Sequence, residues 1–392
     1  MEYVNIVPRQ EITARIRTGF SDWPVTIVFG PRQVGKTTLT KGFASTREHY
    51  FDLHQPIDRT RLLESNFRVL DGLDGVVVID EAQEIPELYQ KLRALADRRD
   101  RQTRFILTGS TSPKIFNSTS ESLAGRARLL NLSGFSLAEV GPENWERLWV
   151  RGGFPEAYRK ELDETSMEVR QHYISQVVGR DLPALAEIKL TTDQLHRFFR
   201  LLASHHGQYW SHSEIGGVMG INTRTVQRYV ELFKGIYLVR ELPPYFNNLG
   251  KRLRQMPKLY VRDTGLLHAL LSIRDRAALN THTIVGASWE GFGIEQLVAL
   301  FHLRDEQLYT WSLQSGSEVD LVLDLPGGLV GVEFKAGDAP GRTRSMTAAI
   351  KALKLRKLYV IYPGDKDYVI DGIIEVVGIM NLPKRLSLIV PP

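Results

Sequence analysis

Apolar and polar positions change period several times along the chain, and each change marks an element. Residues 25–40, VTIVFGPRQVGKTTLT, are a short β-branched run, a glycine-containing loop and the start of a helix. Residues 75–83, GVVVIDEAQ, hold an unbroken apolar run ending in carboxylates, and 103–112, TRFILTGSTS, hold another ending in small polar residues. Runs of this kind read as strands buried on both faces of a parallel sheet. From 135 to 200 helix formers dominate and strand signals are few. Residues 209–242 carry a short helix over about 213–218, a turn at Gly220 and a second helix capped by Asn222. Ile215, Val218, Ile221, Val226, Tyr229, Val230 and Phe233 are its expected small core. That spacing is helix-turn-helix, and IYLVREL and KLYVRD are candidate wing strands of a winged helix.

Beyond residue 285 the pattern reads helix (288–302), strand (307–311), two hairpin strands, a basic helix (343–354) and a strand (357–363), the order αβββαβ. In the hairpin, SEVDLVLDLPGGLVGVEFKAG at 317–337, Val319, Leu321, Leu323 and Leu325 alternate with polar partners. Pro326, Gly327 and Gly328 turn the chain, and Val330, Val332 and Phe334 alternate on the way back. A two-residue turn at Pro326–Gly327 sets Asp320 opposite Glu333, with Lys335 on the same face. Carboxylates that close repel by about 1 kcal/mol or more unless something neutralises them. A divalent cation would do so; a solvated sheet face is the plainer account. Glu290 shares a helix face with Ile294, Leu297 and Phe301, so it needs a partner or is a first-turn acid favoured by the helix dipole.

Composition narrows the field. At 392 residues and 43% apolar content, the chain has room for two or three domains, each with its own core. It has no cysteine, which excludes disulfides, thiolate metal sites and cysteine nucleophiles. The start, MEYVNIVPRQEI, lacks a basic region followed by an apolar one, and no apolar run reaches the roughly 20 residues that cross a bilayer. A cytoplasmic chain without a membrane partner is expected. The net charge of +5 tolerates nucleic acid without requiring it.

The loop after the first strand fits G-x-x-x-x-G-K-[ST]: Gly30, Pro31, Arg32, Gln33, Val34, Gly35, Lys36, Thr37, with Thr38 beyond. Its glycines let backbone N–H groups turn toward phosphate oxygens, and the following helix adds its positive end. Lys36 would reach the β- and γ-phosphates of ATP and Thr37 would hold Mg²⁺. Asp80 would share the Mg²⁺ and Glu81 would polarise the attacking water. Thr108 or Ser110 would sense the γ-phosphate, and Arg126 or Arg128 would serve as an arginine finger to a neighbouring subunit. Ordinary turn chemistry and surface arginines are the plainer accounts of these four.

Together, FGPRQVGKTTL, VVVIDEAQ, ILTGSTS, SLAGRARLLNL and RGGFPEA resemble the bacterial and archaeal AAA+ ATPases that pair this module with a C-terminal domain of restriction-endonuclease type. The resemblance implies an α/β P-loop core at 1–134, a helical lid at 135–204, a winged helix at 205–270 and a PD-(D/E)xK nuclease-like domain at 271–392. It makes Asp320 the first acid, Glu333-Phe334-Lys335 the E-x-K triplet and Glu290 the helix acid, with Glu290, Asp320 and Glu333 as metal ligands. Lys335 would orient or deprotonate the attacking water. Arg224, Gln227 and Arg228 on the second helix, with Thr223, would meet DNA, and Lys251, Arg252, Arg254 and Lys258 would meet phosphates at a wing tip. Arg342, Arg344, Lys351, Lys354, Arg356 and Lys357 suit a phosphate partner or are a solvated helix face.

The expected function is an ATP-hydrolysing, Mg²⁺-dependent machine that remodels, moves along or processes duplex or branched DNA, with metal-dependent cutting as a further expectation. Family analogy favours a homo-hexamer. The competing expectations are a nucleotide-dependent switch that binds a protein partner through a non-cleaving nuclease-like domain, and a nuclease whose ATPase only gates assembly.

Overall fold

The computed structural model describes residues 7–98, 102–110, 123–185, 188–245, 255–337 and 341–385. The chain divides into two compact units. One reaches to Ser133 and includes Gly235–Tyr237; the other holds the rest from Gly134.

The first unit is built on five parallel strands, β1 (Val25–Phe29), β2 (Tyr50–Asp52), β3 (Val76–Asp80), β4 (Arg104–Gly109) and β5 (Ala127–Asn131), in the order β2-β3-β4-β1-β5. Helices α1 (Gln10–Gly19), α2 (Lys36–Lys41), α3 (Pro56–Glu64) and α4 (Leu88–Ala96) accompany it. The apolar runs are buried as their pattern requires: Val77, Val78, Ile79, Phe105, Ile106 and Leu107 are all inside. The register aligns the carboxyl ends of the central strands, with Phe29 beside Gly109 and Ile79 beside Leu107. Asp52 lies beside Asp80 on the outer pair. In open parallel sheets, ligands bind beyond these ends.

Between β5 and Gln208 no strand occurs among the described residues, and α5 (Asp163–Gln176) and α6 (Thr192–Ser204) are the long helices of that stretch. Then come β6 (Gln208–Tyr209), α7 (His212–Met219), α8 (Thr223–Gly235), β7 (Val239–Leu242) and β8 (Lys258–Val261). The three strands form an antiparallel sheet in the order β6-β8-β7. Gly220 ends α7 in the left-handed region at φ 66, and the Asn222 side chain accepts the Thr225 N–H at 2.8 Å. Ile215, Val226, Tyr229, Val230 and Phe233 fill the core between the helices. Val218, expected among them, is 51% exposed, because it lies on the outer side of the short α7.

The remainder runs α9 (Thr264–Leu270), α10 (Val285–Phe301), β9 (Leu308–Ser312), β10 (Glu318–Leu325), β11 (Gly328–Phe334), α11 (Arg344–Leu353), β12 (Lys357–Tyr362), β13 (Tyr368–Val369) and β14 (Ile374–Gly378). Its mixed sheet has the order β13-β14-β12-β11-β10-β9. Trp149 ties the helical stretch to α10: its indole N–H donates to the Ser288 hydroxyl at 2.9 Å and its ring meets Trp289 edge-on. No described helix is long and apolar enough to cross a membrane.

The hairpin turns at Pro326–Gly327, with Leu325 facing Gly328 and Leu321 facing Val332. Strict alternation does not hold along β10. Its register against β9 shifts between Val319 and Val322, and both valines pack into the core under α11 with Met346, Ala349 and Leu353. A bulge of this kind re-aims the residues it contains, here Asp320 and Leu321. The polar face is buried at Asp320 and Glu333 and exposed at Asp324.

Candidate functional site

The loop from Gly30 to Gly35 joins β1 to α2. Gly30 sits at φ +154 against the residue that follows β5, where a Cβ would lie 2.0 Å from the Leu132 carbonyl oxygen, so no larger residue fits. Gly35 precedes α2 in the left-handed region. The Lys36 ammonium turns back into the loop and donates to the carbonyls of Gly30 (3.0 Å) and Pro31 (2.9 Å). Burial pulls its pKa down to about 8, against the raising charges of Glu81 and Asp80. The Arg9 guanidinium braces the loop from outside the motif, donating to the carbonyls of Val34 (2.9 Å) and Ser133 (3.1 Å).

Asp80, at the end of β3, is buried and gathers three hydroxyls. Thr37 donates to its Oδ2 at 2.6 Å, Tyr50 to the same oxygen at 3.0 Å, and Thr108 to its Oδ1. The Thr108 hydroxyl also accepts the Glu81 N–H at 3.0 Å. Thr108 is therefore engaged in holding the acidic pair. Glu81 itself has left-handed backbone (φ 54), and its carboxylate accepts from Gln83 Nε2 at 2.5 Å. Ser110 is buried just past β4. A hydroxyl and a carboxylate oxygen this close, beside the lysine, fit Mg²⁺ bound with phosphates.

Arg126 and Arg128 lie at the start of β5, whose Ala127 pairs with Val25, so they sit at the opposite end of the strands from the loop. Arg126 is ion-paired to Asp97 at 2.5 Å, and Arg128 donates to the Arg15 carbonyl at 2.9 Å.

In the second unit, Arg224, Gln227 and Arg228 are exposed on α8, on the side away from Val226, Tyr229 and Val230. Lys251, Arg252 and Arg254 lie outside the described residues. Lys258 is not at a surface tip as expected. It is 3% exposed, because β8 is the central strand of its sheet and aims the side chain inward.

That side chain enters the hairpin's acid cluster. Lys258 Nζ lies 3.0 Å from Glu290, 3.9 Å from Asp320 and 4.0 Å from Glu318. Tyr260, two residues on and on the same strand face, donates to the same Glu290 oxygen at 2.5 Å. Asp320 Oδ2 accepts the Phe334 N–H at 2.9 Å, and Lys335 donates to Glu333 at 3.1 Å. Burial and the neighbouring Asp320 charge push the Glu290 and Glu333 carboxyls well above their ordinary range. Burial works against the Lys258 charge, but Glu290, Asp320 and Glu318 outweigh it and raise its pKa. Glu290 and Asp320 both face the Lys258 ammonium, and Glu333 meets Asp320 and Lys335. Among the described residues no group of three or more His, Cys, Asp or Glu is arranged to hold a metal ion.

Residues 22–141 match a family model described as an AAA domain. Residues 142–277 match a Domain of unknown function (DUF8612), and 285–382 a Domain of unknown function (DUF4143). The chain is 42% identical over 361 residues, 92% of its length and 81% of theirs, to the Uncharacterized proteins Rv2008c of Mycobacterium tuberculosis and Mb2031c of Mycobacterium bovis. The chain belongs to the family of these two mycobacterial proteins. Among solved structures, the Walker-type ATPase PABY2304 of Pyrococcus abyssi aligns with a TM-score of 0.47 at 16% identity, over 68% of this chain and 96% of that one.

The AAA domain spans the loop, Asp80, Glu81, Ser110 and both arginines, and makes the first unit a nucleotide-binding ATPase domain. Tyr50 and Arg9 were not legible as site residues. Tyr50 stands in a three-residue strand without a motif, and Arg9 lies 21 residues ahead of Gly30. Lys258 falls in the DUF8612 match, whereas the acids it meets fall in the DUF4143 match, so no local pattern joins them.

Proposed function

We propose that the protein is a Mg²⁺-dependent ATP hydrolase of AAA type whose cycle acts on DNA. The observation that carries the hydrolase reading is the convergence of Lys36, Thr37 and Asp80 beyond the carboxyl ends of the parallel strands. When ATP binds, the Lys36 ammonium exchanges the Gly30 and Pro31 carbonyls for β- and γ-phosphate oxygens. Thr37 and Asp80 would hold Mg²⁺, which when bound offsets phosphate charge. Glu81, held by Gln83 and by its Thr108-bonded backbone, orients the attacking water. Arg126 or Arg128 of a neighbouring subunit reaches the γ-phosphate in a homo-oligomer, with six subunits favoured by family analogy. For Arg126 this requires release from Asp97, an exposed ion pair that solvent screens.

The DNA reading rests on α8 as the second helix of a winged helix, with Arg224, Gln227 and Arg228 on its exposed side. Arg344 and Lys351 on α11, and Lys354 just past its end, are exposed and suit further phosphate contacts. Metal-dependent cutting is not carried into the proposal, because Lys258 stands within the acid cluster that would have to bind the metal. That same observation favours, as a second reading, a switch whose nuclease-like domain binds a protein partner. The test is ATP hydrolysis by the full chain with Mg²⁺. Lys36→Ala should abolish it, and a rate equal to that of the unsubstituted chain would overturn the hydrolase assignment.

A further inference from the structure

The acid cluster of the second unit carries more than the absence of a chelating set. One oxygen of each of three acids already accepts from a donor of this chain. Glu290 Oε1 takes both Lys258 Nζ and the Tyr260 hydroxyl, Asp320 Oδ2 takes the Phe334 N–H, and Glu333 Oε2 takes Lys335. Lys258 is nearly fully buried, and its ammonium lies within 4.0 Å of acids from two elements, Glu290 on α10 and Glu318 and Asp320 on β10. Lysine is almost never found so deep unless its charge is matched. The lysine is delivered from a different sheet, by a strand whose same-face neighbour Tyr260 binds the same acid. One helix acid and two acids of β10 thus face a single cation, and that cation is supplied by the chain.

We propose that the Lys258 ammonium is the resident cation of this cluster: it takes the place of a divalent metal, excludes one from Glu290, Asp320 and Glu333, and makes the domain a metal-free module. The exclusion is electrostatic and steric together. A metal bound at about 2.0–2.6 Å from these oxygens would share their small, water-poor space with the ammonium, and like charges in such a space repel strongly. Removing the lysine's charge, while keeping its length, leaves the acids short of a cation and turns the cluster into a divalent site. The inference stands apart from the ATPase and DNA readings, since it is read without nucleotide or DNA.

The experiment counts Mn²⁺ bound to the nucleotide-free full chain at neutral pH, from the electron paramagnetic resonance signal of free Mn²⁺. Four proteins are compared: the unsubstituted chain, Asp320→Asn/Glu333→Gln, Lys258→Met, and the combination of all three changes. Any Mn²⁺ taken up near Thr37 and Asp80 is common to all four and cancels. The unsubstituted chain and Asp320→Asn/Glu333→Gln should bind equal amounts. Lys258→Met should bind one more ion per chain, lost again in the combined variant. One more ion on the unsubstituted chain than on Asp320→Asn/Glu333→Gln would overturn the proposal, because metal would then enter despite the lysine. So would a folded Lys258→Met that gains no ion. Should Lys258→Met fail to fold, one more ion on the unsubstituted chain than on Asp320→Asn/Glu333→Gln still overturns the proposal.

Discussion

Lys36 is a residue whose chemistry turns on its surroundings. Its pKa falls from the ordinary 10.5 to about 8 through burial, so the nucleotide-free chain carries part of its population deprotonated above that pH. A lysine lowered in this way weakens the fold while it is charged, and the penalty fades as pH rises through about 8 toward 10.5. Phosphates demand the charged form, so ATP binding at pH 8.5 should take up a substantial fraction of a proton. Calorimetry in buffers of different ionisation heat measures this, and the uptake should vanish in Lys36→Ala. Thr108 gives a second residue-scale prediction. Its hydroxyl serves both Asp80 and the Glu81 N–H, so Thr108→Val leaves a buried acceptor and donor short of a partner. A loss of about 1–3 kcal/mol in stability is expected from denaturant unfolding. The ATPase rate should fall by roughly tenfold to a hundredfold as Glu81 shifts.

The α7–α8 pair is where element and function meet. Asn222 caps α8, and Asn222→Ala should cost about 1 kcal/mol of stability by denaturant melt. Arg224→Ala and Arg228→Ala test the exposed side of α8, and Arg224→Ala should leave stability within about 0.5 kcal/mol. Each should weaken DNA binding and lower the slope of affinity against salt by about 1, the signature of one lost phosphate contact. An unchanged slope would remove α8 from the DNA reading. These elements were legible because their signals are local: Gly220 and Asn222 punctuate the helices, and Pro326–Gly327 alone fixes the hairpin register. The bulge at Asp320–Leu321 was not legible, because alternation in one strand says nothing about a partner strand's register. Val218 misled because its helix is too short to bury every apolar residue it carries.

Across the whole molecule the phosphate loop was legible as a contiguous motif, whereas its supports were not. Arg9 and Tyr50 reach the site only through the fold. The same holds for Lys258, which reads in sequence as the end of a basic surface stretch and sits in the structure among acids up to 62 residues away. Lone charges are read wrongly whenever their partners are distant, since burial cannot be inferred from the residue itself. The central claim spans both units, a nucleotide cycle in one and a DNA grip in the other. It is tested most directly by the steady-state ATPase rate of the full chain, measured with no DNA, single strands, linear duplex and a four-way junction, with Lys36→Ala as the blank. The account predicts Mg²⁺-dependent hydrolysis that one of the DNA forms stimulates severalfold. Hydrolysis that no DNA form alters would contradict it and leave the protein-partner switch in its place.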